Sequence, residues 1–187
     1  MTHPLFEKHQ ALLEQALEAI ARRGYWTPFP EMPSPKIYGE TALEEGKAAV
    51  LGLHGQRFSL EGQPGTGEWI APERSPYGVE LNVSYPVSEP ESLVAAARKA
   101  QDDWQKLGPK GRVGLLLEAL VRLNRRSFEL AHAVMYTTGQ GWMMAFQAGG
   151  PHAQDRGLEA VTYAWDEMRR IPETALWEKP QGKNPPI

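Results

Sequence analysis

The sequence predicts a mainly helical protein that carries one small β element. Three observations lead to this prediction. Apolar residues recur every three or four positions in most segments between the glycines and prolines, which is the spacing of one helix face. A period-two alternation, typical of a half-buried strand, is confined to residues 79–85. The 187 residues, 41% hydrophobic and 23% charged, have the composition of a folded domain.

The first predicted unit, residues 1–56, consists of helices and a proline-rich connection. Residues 4–23 have the apolar spacing of an amphipathic helix, with Thr2 or His3 as its cap and Gly24 as its stop. We therefore expect one helix over this stretch.

The proline-rich connection covers residues 25–39, where prolines remove backbone donors and disfavour helix. We expect an extended chain there. Thr41 and Glu44 have the spacing of a capping box, in which each side chain binds the backbone amide of the other. A short helix is predicted from this box to about Leu53.

The second predicted unit, residues 57–87, is the small β element. Residues 68–70 and 79–85 are the predicted strands, since both are short apolar runs between clusters of turn residues. Gly65, Thr66 and Gly67 are typical of a turn beside such a hairpin.

The third predicted unit, residues 88–170, is a helical core. Ser88 and Glu91 form a second potential capping box, which predicts a long helix that ends near Gly108. Pro109 is suited to the first turn of the next helix, because its missing amide has no partner there in any case.

The helix boundaries in the rest of this core are predicted from breaks in the helical periodicity. Residues 109–135 have helical periodicity with a break at 124–127, so two helices or one kinked helix fit equally well. The glycines at 139–141 end that stretch, and a last helix is predicted over about 152–170. The fourth unit, the tail at 171–187, contains several prolines and is predicted to be irregular.

Composition excludes several classes of function. The sequence contains no cysteine, which excludes disulfides, thiolate metal sites and a cysteine nucleophile in these residues. A net charge of −3, with no long run of either sign, argues against nucleic-acid binding. The start lacks the basic and apolar regions of a secretory signal, and no apolar run is long enough for a membrane span. We therefore expect a cytoplasmic protein. The most basic stretch consists of Lys110, Arg112, Arg122, Arg125 and Arg126. We interpret it as a solvated helix face.

Few side chains are candidates for chemistry. His152, Asp155 and Glu159 could share one helix face as metal ligands, but without a second histidine we favour a capping role for His152 and a solvated face for the carboxylates. Residues 139–141 lack the third glycine of a dinucleotide-binding loop and are expected to stop a helix. His132 is expected to be an interior or boundary histidine. We predict no catalytic, cofactor-binding or metal-binding residue.

Two sets of motifs carry a resemblance to known enzymes. The first set is residues 88–91, 95–100 and Trp104, then Arg112, Leu116, Leu120, 129–131 and 137–140. The second set is residues 3–6, 145–160 and 177–183. The first set resembles the N-terminal helical region of the aldehyde dehydrogenase superfamily, and the second resembles its phenylacetic acid degradation branch. The resemblance covers essentially the whole chain and is least distinctive between 46 and 68.

This resemblance implies a role as the N-terminal structural part of a larger enzyme, not catalytic alone. Such enzymes oxidise a ring-opened, CoA-linked semialdehyde with NAD or NADP. The family's coenzyme-binding lysine, general-base glutamate and nucleophilic cysteine correspond to positions after Ile187, so no cofactor is expected to bind this chain alone. The alternative is a stand-alone helical interaction or dimerisation module.

The expected partner is a second copy of the chain. Trp142, Met143 and Phe146 belong to an apolar cluster too wide for one helix stripe. Exposed apolar surface of this kind favours association. We therefore predict a homo-oligomer, with a dimer as the default, that buries these three side chains.

Overall fold

A computed structural model of the protein describes residues 3–172, 174–179 and 182. Over these residues the chain forms nine helices and one two-stranded antiparallel sheet, which confirms the mainly helical class. None of these helices is long and apolar enough to cross a membrane. In chain order, the elements are α1 (Pro4–Lys8), α2 (Gln10–Arg22), α3 (Pro35–Tyr38), α4 (Ala42–Leu51), β1 (Trp69–Ile70), β2 (Tyr85–Pro86), α5 (Pro90–Lys106), α6 (Gly108–Arg125), α7 (Ser127–Thr138), α8 (Trp142–Gly149) and α9 (Pro151–Met168).

The single helix predicted over residues 4–23 is two helices, α1 and α2. The break falls at His9, whose ring is buried and lies 2.7 Å from a carboxylate oxygen of Glu118. The stop also differs, because Arg23 and not Gly24 takes the left-handed conformation, with φ 53°. His3 precedes α1 without a side-chain capping bond, and Thr2, the other predicted cap, lies outside the described residues.

Neither predicted capping box forms. Thr41 precedes α4 without a side-chain capping bond. Ser88 instead donates its hydroxyl to the carbonyl of Pro64, and α5 begins at Pro90. The proline-rich connection also contains one helical turn, α3, which begins where the Ser34 hydroxyl accepts the Lys36 amide at 3.3 Å.

The sheet is smaller than predicted. Ile70 pairs with Tyr85 and Trp69 with Pro86, but residues 79–84 are not part of a strand. Asn82 is left-handed, with φ 47°, which is incompatible with a continuous strand. The alternation indicated burial correctly at Leu81 and Val83, whereas Val79 is exposed.

The open choice at residues 124–127 is resolved as two helices, since α6 ends at Arg125 and α7 begins at Ser127. Gly139, with φ 77°, ends α7, so the predicted stop is confirmed. The last helix begins at Pro151, one residue before the predicted start. Residues 174–179 of the tail contain neither helix nor strand, and the remaining tail residues from 180 onward, apart from Gly182, lie outside the described part.

Two apolar clusters hold these elements together. The first lies where α2, α6 and α9 meet, and its buried members are Leu13, Ala16, Phe29, Val113, Leu117 and Leu158. The second lies between α7 and α8, against α3 and α4, and is built around Phe128, Ala131 and Phe146. The rings of Tyr38, Phe128 and Phe146 meet there at centroid distances of 5.1–5.6 Å.

The backbones of α1 and α6 approach each other closely at Gly114. A Cβ atom on Gly114 would lie 2.4 Å from the amide nitrogen of Phe6 and 2.8 Å from the carbonyl carbon of Leu5. Backbone atoms cannot move aside as the end of a side chain can. A glycine is therefore required for this contact.

Glu118 lies one turn further along α6, and its carboxylate contacts three side chains. Lys8 Nζ and His9 Nε2 both lie 2.7 Å from its Oε2 atom, and Arg122 Nε lies 2.8 Å from Oε1. Hydrogen bonds from Lys8, Arg122 and His9 hold the pKa of Glu118 far below its ordinary value. The carboxylate thus joins the end of α1 to α6.

Substituting Gly114→Ala should destabilise the protein by about 1–3 kcal/mol, because the added methyl forces the two backbones apart. Alanine is favoured over glycine within a helix by about 1 kcal/mol, so the measured loss will understate the steric cost. Gly24→Ala is the control, since no atom lies within 4 Å of its Cβ position. Urea denaturation measures both changes, and equal midpoints for the two variants would contradict the close approach.

Substituting Glu118→Gln should lower the melting temperature at pH 7, because it removes the charge that binds Lys8 and His9. A depressed pKa contributes stability above the ordinary value of 4.5, and this stability is lost as pH falls toward the folded-state pKa. The deficit of the variant should therefore be constant above about pH 5 and shrink below 4.5. Glu18→Gln, which breaks an exposed pair with Arg22, serves as the control with little effect. A deficit that grows in acid would refute the assignment.

Candidate functional site

The first turns of α9 bring together two of the three residues considered as metal ligands. Asp155 Oδ1 accepts a hydrogen bond from the Thr27 hydroxyl at 2.6 Å. His152 Nε2 lies 3.5 Å from a carboxylate oxygen of Glu31. The proline-rich connection therefore supplies the partners of both residues.

The third candidate, Glu159, does not join them. Its carboxylate lies 2.6 Å from Arg156 Nη1, on the same helix. Within the described ranges, no group of three or more His, Asp and Glu side chains is arranged to hold a metal ion. The capping role expected for His152 is also wrong, because α9 begins before it, at Pro151, and has no side-chain cap.

The electrostatics of this cluster centre on Asp155. Burial raises the pKa of its carboxyl group and the nearby Glu31 carboxylate raises it further, while the Thr27 hydrogen bond lowers it. The phenol of Tyr25 donates to Glu31 at 3.3 Å. These groups pair with one another, and their contacts attach the connection to α9.

Thr27 and Glu31 are members of this cluster that the sequence does not predict. Thr27 and Asp155 are 128 residues apart in the chain. No local pattern distinguishes Thr27 from the other polar residues of the connection, so only the packing of the connection against α9 reveals the pair.

Gly139 ends α7 as predicted, but the turn predicted at residues 65–67 does not form. Gly139 and Gln140 present their carbonyls to the hydroxyl of Tyr77, at 3.0 and 3.1 Å. Thr66, between the other two glycines, donates its amide to the Val87 carbonyl at 2.8 Å and so continues the backbone pairing of the sheet. Gly67, with φ 92°, bends the chain between Thr66 and β1.

His132 is an interior residue, as the sequence predicted. Its ring is buried and packs against Trp142 at a centroid distance of 4.4 Å and against Tyr136 at 6.2 Å. Burial lowers the pKa of His132. The uncharged ring therefore acts as part of an aromatic layer.

The most basic stretch is partly neutralised. Arg122 pairs with Glu118, and Arg126 forms two bonds to the Glu129 carboxylate. Lys110 lies 5.8 Å from the ring centroid of Phe6. These contacts fit the solvated helix face that the sequence predicts.

The predicted oligomer surface needs a correction. Phe146 is fully buried in the second apolar cluster, and Trp142 packs against that cluster. Phe146 therefore cannot contact a second copy as predicted, whereas Trp142 is partly exposed. Met143 and Met144 are the exposed large apolar residues of α8, at 46% and 57%. The error arose because the sequence shows how apolar α8 is, but not that α7 covers most of it.

The larger exposed apolar surface lies on α5. Every residue of Pro90–Lys106 is exposed, although the helix has a clear apolar stripe. Leu93, Val94 and Trp104 are 41%, 50% and 39% exposed. On the adjoining α6, Leu115 and Leu116 are exposed to a similar degree. Among the described residues, no element packs over this face.

Comparison with known proteins gives one informative similarity. Neither a protein-family model nor a curated protein matches the sequence. Among solved structures, the chain is similar to the crystal structure of an NAD-dependent aldehyde dehydrogenase from Burkholderia multivorans, with 60% sequence identity and a TM-score of 0.96. The similarity covers 100% of this chain and 33% of that one, so the chain spans about a third of the length of that protein.

Proposed function

The chain has the sequence and the fold of an aldehyde dehydrogenase segment, and we propose that its role in such an enzyme is structural. In this proposal the helices form the N-terminal support on which the remaining part of the enzyme packs. The observation that carries it is the apolar face of α5, which is exposed along the whole helix.

The face of α5 supports this role for a physical reason. Its stripe consists of Leu93, Val94, Ala97, Ala100 and Trp104, which follow one another at helical spacing. Contiguous apolar surface left in water marks a contact with another protein surface. Because the similar aldehyde dehydrogenase is about three times as long as this chain, the part that the chain lacks is the simplest cover.

The substrate class of the whole enzyme follows from the finer resemblance. Residues 145–160 and 177–183 resemble the phenylacetic acid degradation branch. We therefore propose a ring-opened, CoA-linked semialdehyde as substrate and NAD or NADP as the oxidant. Steady-state oxidation of such a thioester by the whole enzyme, compared with a simple aldehyde of the same length, tests this choice.

A second candidate function is a stand-alone dimerisation module. It is favoured by the same exposed face, together with Met143 and Met144 on α8. Two copies could cover each other through a twofold contact. Light scattering distinguishes the candidates, because a mass near 20.9 kDa for the isolated chain excludes the dimer.

The isolated chain should neither oxidise aldehydes nor bind NAD. Thiohemiacetal formation needs a thiolate, and the sequence contains no cysteine. Titration calorimetry with NAD and an aldehyde oxidation assay measure both properties. A dissociation constant in the low micromolar range would overturn this prediction.

Two matched substitutions on α5 test the structural role. Ala97 lies in the apolar stripe, whereas Ala95 lies roughly 200° away around the helix at 3.6 residues per turn. Both residues are exposed, so Ala97→Glu and Ala95→Glu should leave the isolated chain folded. The chain is co-expressed with the part of the Burkholderia multivorans enzyme that it does not cover. We expect the wild-type chain and Ala95→Glu to co-purify with that part, and Ala97→Glu to fail.

Thermal denaturation of each isolated variant is the control for folding. Co-purification of Ala97→Glu at the wild-type level would show that the stripe is not the contact. If Ala97→Glu instead converts a dimeric isolated chain into a monomer, the dimerisation module is the better account.

A further inference from the structure

A cavity of about 280 Å³ lies between the helices α4, α6 and α7 and the irregular segment that precedes β2. Its inner wall is apolar, and it includes Val50, Leu53, Leu81, Val83, Leu130 and Ala133. Phe58 and Leu123 also line it and are 39% and 42% exposed, so they mark its opening. The cavity is separate from the Asp155 cluster and from the exposed face of α5.

The walls are held by contacts that do not depend on a ligand. Backbone bonds join residues 55–58 to 81–84, among them Gly55 N to Leu81 O at 2.9 Å and Ser84 N to Gln56 O at 3.0 Å. On the other side α4 is fixed against α7, because a Cβ on Gly46 would lie 2.7 Å from the backbone of Phe128. Each wall is therefore held in place by contacts within the chain.

The cavity is open to solvent on one side, so it is a pocket that a ligand can enter and not a buried void. An engineered apolar cavity of about 150 Å³ binds benzene. At 280 Å³, this cavity has room for one aromatic ring with a substituent.

The side chains around the cavity favour an aromatic guest. Phe58, Tyr85, Tyr136 and His54 contribute rings to its lining. Phe58 and Tyr85 meet edge to face at 6.1 Å, and His54 and Tyr136 do so at 5.8 Å. Rings arranged in this way present both faces and edges, which are the surfaces that another ring contacts favourably.

The charges at the cavity disfavour an anionic guest. The Arg126 guanidinium is already bound to the Glu129 carboxylate, so it is not available to a ligand. Glu73 adds a further carboxylate, which accepts the Tyr85 hydroxyl at 2.8 Å. Burial and Glu73 raise the pKa of Tyr85 to about 12, so this hydroxyl stays protonated at neutral pH.

We propose that this cavity is a binding site for a small uncharged molecule with a single aromatic ring. The site goes beyond the structural role proposed above and does not rest on it, because every residue that forms it belongs to this chain. Its walls come from residues 50–58, 73–85 and 123–137.

Phenol is the probe for this site, and benzoate is its anionic counterpart with the same ring. Both are titrated into the ¹⁵N-labelled chain, and amide chemical shifts are followed by NMR. Phenol should cause saturable shifts confined to residues 50–58, 73–85 and 123–137, with a dissociation constant of about 1 mM or below. Benzoate should bind at least about tenfold more weakly, because desolvating a carboxylate without a partner is costly.

Two substitutions that fill the cavity test its location. Ala133→Phe and Leu53→Trp each place a larger side chain in the wall, so each should abolish the phenol-induced shifts. Ala119→Phe introduces the same phenyl group at an exposed position of α6 that does not line the cavity, and it should bind phenol as the wild type does. The dispersion of the NMR spectrum confirms that each variant is folded.

Three results would overturn the proposal. The first is the lack of saturable shifts in these segments at the highest soluble phenol concentration. The second is benzoate binding as tight as phenol binding. The third is wild-type phenol affinity in a folded Ala133→Phe or Leu53→Trp variant.

Discussion

The packing of α1 against α6 is the constraint on which the rest of the fold depends. Gly114 allows the two backbones to touch, and Glu118, one turn later, binds Lys8 and His9. His9, which is buried against this carboxylate, is the residue at which α1 ends and α2 begins. Helix α2 then packs beside α9, and Leu13 and other residues of α2 complete the first apolar cluster. A tertiary contact thus lies at the junction between the first two helices.

The second half of the helical core is organised around α7, which packs against both α4 and α8. Its close approach to α4 at Gly46 and its aromatic layer at His132 leave little freedom on that side. The irregular segment before β2 is different, since it is attached mainly through backbone bonds to residues 55–58. These bonds hold the segment beside residues 55–58, and the cavity lies between this pair of segments and the helices α4, α6 and α7.

The position of α5 links the fold to the proposed role in an aldehyde dehydrogenase. Within the described residues this helix contacts the rest of the chain through α6, and its apolar stripe remains uncovered. Exposing such a stripe to water is unfavourable, because burying each Å² of apolar surface would contribute roughly 25 cal/mol of free energy. The Asp155 cluster, by contrast, is satisfied within the chain through Thr27. The surface that no other part of the described chain covers is therefore the apolar stripe of α5. An apolar surface fits a role in packing better than a role in chemistry.

The sequence by itself determined the helical class, the helix stop at Gly139 and the inward direction of Leu81 and Val83, because each depends on spacing or on one residue's backbone preference. Only the tertiary structure decided the break at His9, the burial of Phe146 and the pairing of Thr27 with Asp155. The partners in those contacts come from other elements, in two cases more than a hundred residues away. The same limit explains why the capping box at Ser88 did not form, since the bond of its hydroxyl to the distant Pro64 carbonyl leaves no local trace. Periodicity reports which side of a helix is apolar, whereas what covers that side is decided by the packing of distant residues.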